Sequence, residues 1–111
     1  MEAISEETMR AILDTAQPYT VVVLRKGPNY AASDARAVSW EHGKRNMQLR
    51  LAGKLNVVIP LTDDGEIRGI GVFNLPVDEV EALLADDPAL QAGVLMAEYR
   101  TGISFAGDAL R

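Results

Sequence analysis

Four short runs in this chain are apolar at both odd and even positions, and that narrows its fold more than any other feature. Val21 and Val23 alternate with Val22 and Leu24; Val57 and Ile59 flank Val58; Ile70 and Val72 alternate with Phe73; and Leu95 and Ala97 alternate with Val94 and Met96. Successive side chains of a strand point to opposite sides of its sheet, so runs of this kind describe a sheet that needs cover on both faces. The expected strands are Tyr19–Arg25, Leu55–Leu61, Ile67–Phe73 and Val94–Arg100. The turn between the second and third is Thr62-Asp63-Asp64-Gly65-Glu66, which has hairpin chemistry.

Helical spacing fills the intervals. Ser5 followed by Glu6 and Glu7 reads as an N-cap with an acidic first turn. Met9, Ile12, Leu13 and Ala16 then repeat as one apolar face of a helix that ends before Pro18. Ser33 or Asp34 caps a long helix to about Ala52, closed by Gly53. Pro76 opens a third helix with Val77, Val80, Leu83 and Leu84 on one face. Asp86-Asp87-Pro88 ends it, and residues 89–93 make a short turn.

The order is a helix followed by β-α-β-β-α-β. This is an α+β chain of ferredoxin-like βαββαβ type with an extra N-terminal helix. At 111 residues it makes one domain. Residues 1–17 form the added helix, 18–102 the ferredoxin-like domain and 103–111 a tail. Two crossover helices cover only one face of such a sheet. The expected cover for the other is a second copy, giving a two-fold homodimer. The alternative cover is the N-terminal helix together with the tail.

Charge and composition exclude several roles. The net charge of -5 comes from scattered acidic residues, which argues against a nucleic-acid surface. The most basic stretch, Lys44, Arg45, Arg50 and Lys54, reads as a solvated helix face. The absence of cysteine rules out thiolate chemistry, and a single histidine makes a zinc site improbable. Asp63-Asp64-Gly65 lacks EF-hand spacing, so no metal is expected. No run approaches the ~20 apolar residues of a membrane span, and residues 1–8 do not resemble a signal peptide, so a cytoplasmic protein without membrane contact is expected.

What chemistry the chain can run centres on that one histidine, His42. Val38, His42, Arg45, Leu49 and Ala52 share one stripe of the long helix, and Trp40, Met47 and Leu51 fall nearly opposite. If the first stripe meets the sheet, His42 and Arg45 enter an apolar region, where each needs a partner or a cavity. An imidazole beside a guanidinium suits a small anionic ligand. The blander alternatives are a structural or exposed His42, a surface ion-pair Arg45, an Asp87 that only stops a helix, and a Trp40 that only packs.

The order His42, Leu49, Gly53-Lys54-Leu55, Asp64-Gly65, Gly69 and Ala85-Asp86-Asp87-Pro88-Ala89-Leu90-Gln91-Ala92-Gly93 resembles the YciI-like (YCII-related) family over roughly residues 19–101. The resemblance implies a dimeric α/β barrel of ferredoxin-like subunits. It also implies a pocket in which His42 and Asp87 form an acid–base dyad. Related barrels include muconolactone isomerases and a dehydrochlorinase of chlorinated hydroxyquinols. The chain departs from the family pattern at Arg45 and Asn46, where apolar or aromatic residues are usual, and at Ile59-Pro60, where Gly precedes Pro.

Two functional readings result. The first is a cofactor-independent isomerase or lyase acting on a small, anionic, cyclic or enolisable compound. His42 moves a proton, Asp87 orients it, and Arg45 and Asn46 bind the substrate. The second is a non-catalytic module that binds a small molecule or a protein. A weaker third is a structural accessory subunit that docks through its N-terminal helix and tail.

Overall fold

The computed structural model describes residues 1–111. Its elements are α1 (Glu6–Leu13), β1 (Ala16–Lys26), α2 (Ala35–Leu51), β2 (Leu55–Pro60), β3 (Ile67–Phe73), α3 (Val77–Ala85), α4 (Pro88–Gln91) and β4 (Leu95–Phe105). The four strands make one antiparallel sheet in the order β2-β3-β1-β4. The two central strands are β1 and β3, and the crossovers β1-α2-β2 and β3-α3-α4-β4 are those of the ferredoxin-like fold.

The ends of the elements differ from expectation in one instructive way. Helix α1 stops at Leu13, and Asp14 caps it through its backbone N–H. Strand β1 begins three residues before Tyr19, and β4 runs five residues beyond Arg100. Residues 16–17 and 103–105 therefore belong to neither the helix nor the tail. They pair across the ladder, Ala16 opposite Phe105 and Gln17 opposite Ser104, and the pairing continues to Tyr19 opposite Gly102. Pro18 is tolerated there because β3 pairs with β1 only from Thr20 onward, leaving that edge of β1 with no ladder to satisfy. The segment after Asp87 is likewise more regular than a turn, forming the short helix α4.

The core lies between the sheet and α2, α3 and α4. Val22, Leu24, Leu55, Phe73, Val94 and Leu95 pack with Ala35 and Leu49 of α2, Val80 and Leu84 of α3, and Ala89 of α4. Each large side chain buried here stabilises the fold by about 1.5–3 kcal/mol. The stripe of α2 expected to meet the sheet does so, with Val38 packed at its margin. Thr20, buried at the end of the same face, donates its hydroxyl to the Leu75 carbonyl at 2.7 Å.

The opposite face of the sheet is bare. By register, Val21 and Val72, Val23 and Ile70, and Ile70 and Ile59 lie side by side there, with Arg25 and Met96 at one edge. Ile59 and Met96 are 40% and 48% exposed. Helix α1 buries none of its residues and the end of β4 is part of the ribbon, so the N-terminal helix and tail do not supply this cover.

Two glycines fasten the loop after β1 to the turn before β4. Gly93 ends α4 in the left-handed region at φ +69°, and Val94 N–H reaches back to Ala89 O. A Cβ on Gly27 would stand 2.1 Å from Gly93 O, closer than any side chain allows. Across this junction Gly27 N–H donates to Val94 O and Asn29 N–H to Gly93 O. The Asn29 side-chain amide adds a bond to Ala92 O.

Candidate active site

Asp87 is positioned by its own backbone role. It is the N-cap of α4, Pro88 occupies the first helical position, and its Oδ1 accepts from the N–H groups of Ala89 at 2.9 Å and Leu90 at 3.4 Å. That leaves Oδ2 free to face α2, where His42 Nδ1 lies 2.7 Å away. Asp87 is completely buried, while the His42 side chain retains 12% of its exposure. Burial alone would push the Asp87 carboxyl up. The hydrogen bond and charge of His42, together with the Ala89 and Leu90 amides, outweigh it and hold the group below its usual 3.8. The carboxylate is thus an acceptor only, and the Nδ1–H of His42 donates to it.

The far nitrogen of the ring is met by Asn46, one turn on in the same helix. Its Nδ2 lies 3.1 Å from His42 Nε2, and with the proton fixed on Nδ1 the amide donates to the bare nitrogen. The negative charge of Asp87 reaches one further group. Burial first, then Glu81 and Asp87, push the Tyr99 hydroxyl up.

His42 and Asn46 form part of the wall of a cavity of about 370 Å³ between α2 and the sheet. Val22, Leu24, Leu55, Phe73 and Leu84 make its apolar lining, and Val58, Gly69 and Gly71 close the β2–β3 side. The volume falls within the range of small-molecule sites. Asp87 does not line the cavity. It sits behind His42 and touches a ligand only through the ring.

Of the four residues singled out from the sequence, His42, Asp87 and Asn46 come together. Arg45 does not. Its Nη2 donates to the Leu83 carbonyl at 2.6 Å, its Nε is buried without a partner, and it is not part of the cavity wall. A three-residue step from His42 turns the side chain toward α3 instead, so the expected anion-binding guanidinium is absent.

Three polar residues of the cavity escaped the sequence reading: Tyr30, Ser39 and Arg68. Ser39 precedes His42 by three residues, so helical spacing could have found it. Tyr30 follows the Gly27-Pro28-Asn29 break and gave no periodic signal. Arg68 takes up its donors on the carbonyls of Leu61, Asp63 and Gly65, at 2.7–2.9 Å, and its Nη1 also lies 3.7 Å from an Asp63 carboxylate oxygen. It braces the β2–β3 turn and is the one guanidinium of the cavity wall. Nowhere do three or more His, Asp or Glu side chains converge so as to hold a metal ion.

No family model matches the chain, and no curated protein does. A solved structure similar to it is 5-chloro-2-hydroxyhydroquinone dehydrochlorinase (TftG) from Burkholderia phenoliruptrix AC1100, in complex with 2,5-dihydroxybenzoquinone. Identity is 20%, the TM-score is 0.49, and the match covers 73% of this chain and 90% of that one. No helix of the chain is long and apolar enough to cross a membrane.

Proposed function

We propose that the protein is a cofactor-independent acid–base catalyst, of isomerase or lyase type, for a small cyclic or enolisable compound bound in the cavity. The observation that carries this reading is the 2.7 Å His42–Asp87 pair, with the carboxylate sealed behind the ring and the ring on the cavity wall. His42 Nε2 takes a proton from a carbon next to a carbonyl. The resulting imidazolium is held by Asp87, and Asn46 turns its Oδ1 toward the new N–H. The proton then returns at a second carbon, completing an isomerisation, or a leaving group departs from the neighbouring carbon, completing an elimination. The cavity is mostly apolar, so the substrate is a ring-sized molecule with hydroxyl or carbonyl groups, and with Arg45 turned to α3 the cation available to an anionic one is Arg68.

The test is carbon-bound hydrogen exchange in D₂O, followed by NMR with a panel of cyclic ketones and hydroxyquinones. The expected result is protein-dependent exchange in at least one compound, lost by about 10²–10⁴-fold in His42→Ala. A His42→Ala protein that exchanges as fast as wild type would sink the proposal. The contact from Asn46 to Nε2 favours a second reading, a binding module, because it occupies the nitrogen that a base must present. That reading expects ligand binding, weakened in Asn46→Ala, with no exchange in any variant.

The bare sheet face supports a homodimer in which two copies bury Val21, Val23, Ile70 and Val72 against each other, as in a dimeric α/β barrel. Val72→Lys is expected to convert a wild-type dimer to a monomer in analytical ultracentrifugation while keeping the wild-type circular dichroism spectrum. A wild-type chain that sediments as a monomer at every concentration would exclude the dimer.

A further inference from the structure

Helix α2 carries a second apolar stripe that is largely exposed, with Met47 also reaching the wall of the cavity. Trp40, Met47 and Leu51 are 70%, 44% and 83% exposed and lie within about 40° of one another around the helix. Arg36 and Lys44 border the stripe, both exposed, with Lys44 paired to Glu41 at 3.1 Å, and Arg50 and Lys54 follow at its end. The alternative in which Trp40 only packs does not hold within one chain, where it stands in solvent.

At the ribbon end of the molecule a complementary surface is also largely exposed, with Ile12 facing Phe105 across a shallow cleft. Helix α1 has Met9, Ile12 and Leu13 exposed at 42%, 40% and 44%, with Glu2, Glu6, Glu7 and Asp14 around them and Arg10 as its one base. It rides on the two-stranded ribbon of residues 16–19 and 102–105, which projects beyond β3. A lone two-stranded ribbon is only marginally stable in water. This arm stretches the molecule to 55 Å and its radius of gyration to 16.3 Å, against about 13 Å for a compact chain of this size.

We propose that α1 of one copy docks on the Trp40–Met47–Leu51 stripe of a second copy. An acidic amphipathic helix then meets a basic-bordered apolar stripe, and each covers what the other leaves exposed. Within one chain α1, about 12 Å long, cannot span the stripe as far as Trp40. The ribbon carries α1 about 13 Å beyond the sheet. Trp40 lies a further ~16 Å up α2 from Leu51. The link Asp14-Thr15 spans at most about 7 Å. The exchange adds to the sheet-face pairing without depending on the catalytic reading, and the two associations have separate readouts.

The chain has a single tryptophan, so Trp40 fluorescence reports the stripe directly. The acceptor is full-length chain carrying Met9→Glu and Leu13→Glu, which disables its arm but leaves its Trp40. The donor is full-length Trp40→Phe, which has an intact arm and no tryptophan. Mixing them is expected to move the emission to shorter wavelength in a saturable way. Salt weakens the effect. Arg36→Glu with Lys44→Glu in the acceptor abolishes it, and Glu6→Lys with Glu7→Lys in the donor restores it. Two results overturn the proposal. One is emission at the solvent-exposed wavelength in wild type and mixture alike. The other is short-wavelength emission in wild type at every concentration with no response on mixing, which means another segment covers the stripe. Sedimentation of the acceptor alone reads the sheet-face pairing, so its failure is distinguishable from failure of the arm exchange.

Discussion

Replacing Asp87 with alanine is expected to lower the stability of the fold by about 3 kcal/mol at neutral pH. Loss of the N-cap of α4 accounts for about 1 kcal/mol. Leaving the Nδ1–H of a mostly buried imidazole without an acceptor adds about 1–3 kcal/mol. The sum is a large part of the roughly 5–15 kcal/mol that holds a domain of this kind together. Urea unfolding should show a lower midpoint with an unchanged slope. The effect is pH-dependent in a defined direction. Because the folded state holds the Asp87 carboxyl below 3.8, its contribution is complete above that value and is lost as the pH falls through the depressed folded one. The gap between wild type and Asp87→Ala should therefore narrow on acidification below about pH 4. A gap under about 1 kcal/mol at neutral pH would show that the cap and the pair are not acting together.

Asp87→Asn separates the two roles of the same side chain. The new amide oxygen can still accept from the Ala89 N–H, so α4 stays capped and stability changes little. Its NH₂ then faces His42 Nδ1, which has to become an acceptor, and the ring proton moves to Nε2. Imidazole ¹⁵N shifts should show the Nδ1–H tautomer in wild type and the Nε2–H tautomer in the variant. With the base nitrogen already protonated, any proton-exchange activity should fall by about 10²–10⁴-fold. If the amide sits the other way round, the tautomer survives and the cap is lost, so stability falls instead. A variant unchanged in tautomer, stability and exchange contradicts the geometry at Asp87.

Most of the architecture was legible because it is carried by local pattern. Strand β3 lies where its alternation put it, from Ile67 to Phe73, and α2 begins after Asp34 and closes at Gly53. The ends of β1 and β4 were not legible. Their extension depends on Ala16 finding Phe105 across almost the whole sequence, and Pro18 reads locally as a stop. The site divides along the same line. Helical phase placed His42 inward, whereas Asn46 entered only as a departure from the family pattern, although it lies one turn on. Arg45 was misjudged because the sequence shows that a side chain faces inward but not whether a carbonyl such as that of Leu83 is waiting there. Arg68 was missed because its bonds go to a turn whose carbonyl directions no local pattern encodes.

The double use of Asp87 has a consequence for how this site changes over evolutionary time. Its carboxylate starts α4 and fills a buried position whether or not His42 turns over a substrate, so selection for a folded chain is enough to retain it. A lineage that abandoned the chemistry would keep the aspartate and its proline as a fossil of the dyad. Drift would register first at Asn46, on the cavity wall, because loss of His42 would leave the buried Asp87 carboxylate without its partner.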